Sequence, residues 1–253
     1  MYAAVGGHPS RRALSVLPSL PDGSPPRLVP LDDTISLVVA DVPADIYSPE
    51  ALARRLTDPD WVSRCGAAHH AVSEALAKTV PVIPLRFLTL FSTEAKAVSA
   101  MKRSKAKLVK TIERVRGREE WVLRIGRPDP RRAAADPRAT RASSSRGRSG
   151  TAFLRAKADA RKLETERAHR VATDAMTVFE TLREVADEAT TRPVEPGLNL
   201  LVDAALLVKK RNGATLRRTL AAAAAGLLAE GCPVSLTGPW PPYSFAALGG
   251  KHG

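Results

Sequence analysis

Cysteine is nearly absent from this chain. The two present, Cys65 and Cys232, lie in opposite halves of the sequence and form no C-x-x-C pair, so neither a disulfide framework nor a zinc site is signalled and a reducing cytoplasm fits. Aromatic residues are also few, five Phe, three Trp and three Tyr in 253 residues. That is poor material for the stacking platforms of single-stranded nucleic-acid binders. Residues 231–250 carry no charge, but Pro233, Pro239, Pro241 and Pro242 would break any membrane-spanning helix there. Met1–Gly7 has no basic stretch ahead of a long apolar one, so no secretory leader is expected.

Motifs for chemistry are equally scarce. Gly6-Gly7 and Gly249-Gly250 lack the spacing and the following Lys-Ser/Thr of a phosphate loop. No G-x-S-x-G elbow or H-E-x-x-H helix occurs. His69 and His70 are adjacent, so on a helix they point to different sides and do not converge on one ion. No catalytic, cofactor-binding or metal-binding residue is expected, and no enzyme.

What the chain does have is enough apolar content, 44%, to bury a core, together with 20 prolines. Its length allows two ordinary domains. Its formal charge of +13 points to an acidic partner surface, an anionic membrane or nucleic acid, without choosing among them. Part of that charge is local. Residues 126–150 hold seven Arg, two Asp and no Val, Ile, Leu, Met or aromatic residue, and such a segment is expected to be a disordered insert.

Short strands are expected at Tyr2–Val5, Arg27–Leu31 and Ile35–Ala40, the last two as a hairpin. Ser48-Pro49-Glu50 opens a helix. A second helix over Asp58–Lys78 places Cys65, His69, Val72 and Leu76 on one face. His69 is then a hydrogen-bonded core histidine. Leu85–Leu90 reads as a strand, with Arg86 and Phe87 on opposite faces. Ser92 caps a long helix to about Arg116, stopped by Gly117. Eight of the residues from Lys102 to Arg118 are Lys or Arg, against the single acid Glu113. This basic face is either a solvated surface or a binding stripe.

Glu119–Ile125 opens the second domain as a strand. Thr151–Thr190 is expected to be helical, with Val171, Ala175, Val178, Leu182 and Val185 as its seam. It is too long for a small sheet to cover, so part should project or meet a partner. Leu198–Val208 is a strand, a helix carries Leu216, Leu220, Ala223 and Leu227, and Pro233–Thr237 returns as a strand. This order is that of a split βαβ, ferredoxin-like unit.

Three segments are more specific. They are His69-His70-Ala71-Val72 followed by the run Val80 to Phe91 (VPVIPLRFLTLF), then Glu120-Trp121 at a strand head, and last Leu206-Leu207-Val208 followed after a helix by Thr237 to Phe245 (TGPWPPYSF). In this order they resemble the gas vesicle protein GvpL/GvpF family over nearly the whole chain. Leu88 stands where the family pattern has glycine. If that glycine serves a positive φ or a close backbone approach, this chain must differ locally.

The resemblance implies an α+β protein of two domains, an N-terminal α+β domain at 1–117 and a C-terminal ferredoxin-like domain at 118–253 with a proline-rich tail. It implies a minor structural or assembly protein of gas vesicles, located at the vesicle or in the cytoplasm. Its partners would be the shell protein GvpA and other accessory proteins, with no membrane and no specific nucleic acid. A basic nucleic-acid-binding protein is the alternative. Candidate structural or partner-contact residues are His69, Pro84, Arg86, Phe87, Trp121, Gly238, Pro239, Trp240, Pro241, Pro242, Tyr243 and Phe245. The tail around Trp240 docks either on its own domain or on a neighbouring subunit.

Overall fold

The structure is a computed structural model that describes residues 1–9, 14, 16–128, 150–195 and 197–246. Most of the expected insert at 126–150 lies outside them. The fold is mixed α+β, with contacts grouping the chain into two units. The first comprises Met1–Glu120 together with the segment from Pro239, and the second comprises Trp121–Gly238.

In the first unit, β1 (Ala3–Gly6), β2 (Arg27–Pro30), β3 (Ile35–Val39) and β4 (Val82–Pro84) form a sheet in the order β2-β3-β1-β4. β1 pairs antiparallel with β3, Ala3 opposite Val38, and with β4, Ala3 opposite Pro84. The β2–β3 hairpin is present as expected. Every residue of β1 and β3 is buried, the mark of a sheet covered on both faces. Alternation sorts the side chains. Val5, Val38 and Val82 join Cys65, Val72 and Leu76 of one helix, while Ala4, Leu37 and Ile83 join Leu108 and Ile112 of another.

The first of those helices is preceded by α1 (Ala44–Tyr47) and α2 (Pro49–Arg55), and is itself α3 (Pro59–Thr79). Ser48 Oγ accepts from Ala51 N–H, and Asp58 caps α3 through Asp60 and Trp61 N–H. The opposite face is covered by α4 (Glu94–Arg103) and α5 (Lys105–Val115). Sequence periodicity read these as one helix from Ser92. The structure breaks it at Ser104, and Thr93 is the cap, accepting from Lys96 N–H at 3.2 Å.

The expected strand Leu85–Leu90 is not formed. Pairing ends at Pro84, the chain turns at Phe87–Leu88, and Leu88 has φ of 57°. Pro84, with no N–H to donate, lies on the edge strand β4, where that loss is tolerated.

β5 (Arg118–Gly126) leads into the second unit, whose remaining elements are α6 (Gly150–Val185), β6 (Glu188–Thr191), β7 (Leu200–Lys209), a 3-10 turn (Lys210–Asn212), α7 (Gly213–Ala223), α8 (Ala225–Ala229) and β8 (Val234–Trp240). The sheet order β6-β7-β5-β8 is the ferredoxin-like arrangement expected. Trp121, Leu123 and Ile125 of β5 and Val202, Ala204, Leu206 and Val208 of β7 point to one face. There they meet Val171, Ala175, Val178 and Leu182 of α6 and Leu216 of α7.

The helix is shorter than expected. It ends at Val185, and Thr190 belongs to β6, a hairpin partner of β7; Pro193 lies beyond that strand and ends no helix. Ahead of Val171, the described side chains of α6 are all exposed, Leu154 and Leu163 among them.

Candidate protein-contact site

The tail residues gather in the first unit. Glu120 is 2% exposed, and its carboxylate accepts from Ser244 twice, from N–H at 2.7 Å and from Oγ–H at 2.8 Å. Both oxygens are thus engaged, which is how a buried carboxylate is held without a large desolvation penalty. Phe245 is buried, with the Arg114 guanidinium 5.6 Å from its ring centre and Arg114 Nη1 donating to its carbonyl at 3.2 Å. Ala246 enters the layer of Ala4, Leu37 and Ile112. Pro241 and Pro242 are buried, and their carbonyls accept from Tyr243 and Ala246 N–H, closing a tight turn.

His70 on α3 supplies the other anchor. Its Nδ1 lies 2.9 Å from Tyr243 Oη, the ring stacks on Tyr243 at 5.9 Å, and Trp240 sits at 5.5 Å. Trp240 and Tyr243 keep 36% and 39% of their surface open, so each is both an intramolecular anchor and an accessible aromatic face. Of the two dockings the sequence left open, the contacts give one within the chain. Its partners Glu120, Arg114 and His70 belong to the first unit, whereas the sequence expected the tail with a C-terminal domain at 118–253.

Gly238, immediately before the tail, has φ of 142°, a conformation strained for any side chain. Pro239 follows it and is exposed.

His69 is a core residue, as its place on the apolar stripe requires. It is 7% exposed, its Nε2–H donates to Leu85 carbonyl at 3.1 Å, and its ring stacks on Tyr2 at 5.6 Å. Burial pulls its pKa below the ordinary histidine value, outweighing the Leu85 bond that favours the charged form. Phe87 meets its edge at 5.9 Å and is still 37% exposed.

Arg86 is exposed and Phe87, against the edge of His69, keeps one side open, with no strand spanning the pair. Arg86 makes no ion pair among the described residues. Trp121 belongs to the second unit, 2% exposed under the Arg217 guanidinium at 5.1 Å, and is therefore a packing anchor without an outward face.

Sequence reasoning missed His70 and Arg114 as tail contacts and named Glu120 only in the Glu120-Trp121 strand head, not as an anchor of the tail. Glu120 directly precedes the buried run Trp121–Leu123, where a carboxylate needs a partner. Among the described residues no three His, Cys, Asp or Glu side chains cluster as metal ligands, and no helix is long and apolar enough to cross a membrane.

Residues 1–247 match the family model described as gas vesicle synthesis protein GvpL/GvpF. Gas vesicle protein L of Streptomyces sp. (strain CB03234) is 30% identical over 234 residues, spanning 89% of this chain and 85% of that protein. The crystal structure of GvpF from Anabaena sp. PCC7120 superposes with a TM-score of 0.69 at 16% identity, covering 100% of this chain and 97% of the other. GvpF from Microcystis aeruginosa gives a TM-score of 0.64 at 15% identity, with coverage of 97% and 98%. At these identities the two crystal structures speak to the fold.

Proposed function

The chain belongs to the gas vesicle GvpL/GvpF family, and from that premise we propose that it is a non-enzymatic assembly protein that works by contact with other vesicle proteins. The shell protein GvpA is the first partner in this reading, met while the vesicle is nucleated or grows, at the vesicle or in the cytoplasm.

The observation that carries the reading is the match of the family model across residues 1–247. Three surfaces are consistent with it. One is the exposed first half of α6. Another is the Trp240–Tyr243 face of the docked tail, with Gly238, Pro239, Pro241, Pro242 and Phe245 shaping it. The third is Arg86 with Phe87 at the turn after Pro84. In this assignment His69 and Trp121 hold the scaffold on which those faces are displayed.

The test is co-purification of the intact protein from cells making gas vesicles, in moderate salt, probed for GvpA and for DNA. Retention of GvpA with loss of DNA is expected. DNA retained without GvpA, and released steeply as salt rises, would replace this reading with nucleic-acid binding.

A further inference from the structure

From Ala95 to Ile112 the first unit carries six cationic side chains and no acid. The nearest acids are already engaged: Asp32 with Lys105 at 2.7 Å, Glu94 with Arg27 at 2.6 Å, and Glu113 with Arg116 at 2.8 Å. Lys96 and Arg103 donate to the neutral hydroxyls of Ser92 and Ser99, which leaves their charge uncompensated. Lys102, Lys107 and Lys110 are exposed and make no ion pair among the described residues.

Lys107 and Lys110 share the outer side of α5. Leu108, Thr111, Ile112 and Val115 face the sheet, so the helical period turns Ala106, Val109 and Lys110 outward. Val109 is 42% exposed and Ala106 is exposed too. Three residues apart, these two make a short apolar ridge. Lys102 and Arg103 stand one turn before it, and Lys107 and Lys110 flank it. The like charges of Lys107 and Lys110 repel at helical spacing.

We propose that this face of α4 and α5 receives an acidic amphipathic segment of another gas vesicle protein. Its carboxylates pair with Lys102, Arg103, Lys107 and Lys110, and its apolar side covers Ala106 and Val109. The inference rests on the gas vesicle reading and adds the chemistry of the partner. Three features favour a polypeptide occupant. The exposed cations are mainly lysines, compact charges without the planar fork that grips phosphates two bonds at a time. The ridge between them is aliphatic, and α4 and α5 have no aromatic ring on which a base would stack. The ridge is also too small to bury in a lipid surface.

The test uses the full chain and fluorescence anisotropy with three labelled probes. These are a helix-forming peptide with glutamates flanking a leucine ridge, a peptide of the same composition scrambled to destroy the ridge, and a single-stranded oligonucleotide of similar length. The expected result is preferential binding of the first peptide. The double variant K107E/K110E should weaken it about tenfold or more. Val109→Ser should weaken it about threefold, through lost apolar burial. Both sites are exposed, and an unchanged thermal midpoint confirms that the variants fold.

Equal binding of all three probes would overturn the proposal in favour of a polyanion surface, as would indifference to K107E/K110E or no binding at all. If the intact protein still retains GvpA while the peptide fails, only this inference falls. If both fail, the assembly reading falls with it.

Discussion

Leu88 carries a conformation that its side chain disfavours. Its φ of 57° belongs to the left-handed region, where a Cβ crowds the following carbonyl, and the family pattern has glycine here. The backbone takes this conformation although the residue has a Cβ, while the Leu88 side chain packs against the layer around Val72 and Leu76. Two substitutions separate these effects. Leu88→Ala and Leu88→Gly both delete the packed isopropyl end, but only Gly also removes the Cβ. Leu88→Gly is therefore expected to be more stable than Leu88→Ala by about 1 kcal/mol, read from urea unfolding midpoints. Equal stabilities would mean that the turn relaxes in the variants and that Leu88 stores no strain.

At the scale of elements, the tail is held by one side chain more than by any other. Glu120→Ala would leave the Ser244 N–H and hydroxyl without their carboxylate, and paired charge-assisted bonds of this kind are worth about 1.5–3 kcal/mol. Amide hydrogen exchange at Ser244 and Ala246 is expected to accelerate by about tenfold or more, with the amides of α6 unchanged. Unaltered protection at Ser244 would assign the anchoring to His70 and Arg114 instead.

Which elements could be read beforehand follows from how local their causes are. The stripe Cys65, His69, Val72, Leu76 and the seam Val171 to Leu182 repeat within a few residues, and both are buried where they were expected. β6 was hidden because Glu188, Ala189, Thr190 and Thr191 have no apolar alternation; they are a strand only because β7 lies alongside. The break at Ser104 was invisible because the apolar period runs on through it. The turn at Phe87–Leu88 was masked by a run of strand-forming residues. The tail's partners lie more than a hundred residues away in sequence, a relation that no local pattern expresses.

For the whole molecule, the division of the tryptophans gives a direct readout. Trp61 and Trp240 fall in the first unit, and Trp121 in the second. Ending the chain at Gly238 would remove Ala246 from the layer formed with Ala4, Leu108 and Ile112 and the buried Phe245 ring from the Arg114 guanidinium. Losing a buried Phe side chain typically costs about 3–5 kcal/mol. In single-tryptophan variants of the truncated chain, the denaturation midpoint seen by Trp61 is expected to fall and that seen by Trp121 to hold. A parallel fall of both would mean that the two units unfold together.

The way the terminal segment completes the first unit also sets an order of events at the ribosome. Domains in most chains mature in the direction of translation. Here the opening half leaves the exit tunnel with an unfinished hydrophobic layer, because Ala246, which enters that layer, is made after every strand and helix described in either unit. The later-made ferredoxin-like half has all its strands sooner. The nascent protein therefore passes through a stage in which its back is built and its front still waits, and a chaperone would find exposed apolar surface at the amino-terminal end of the chain.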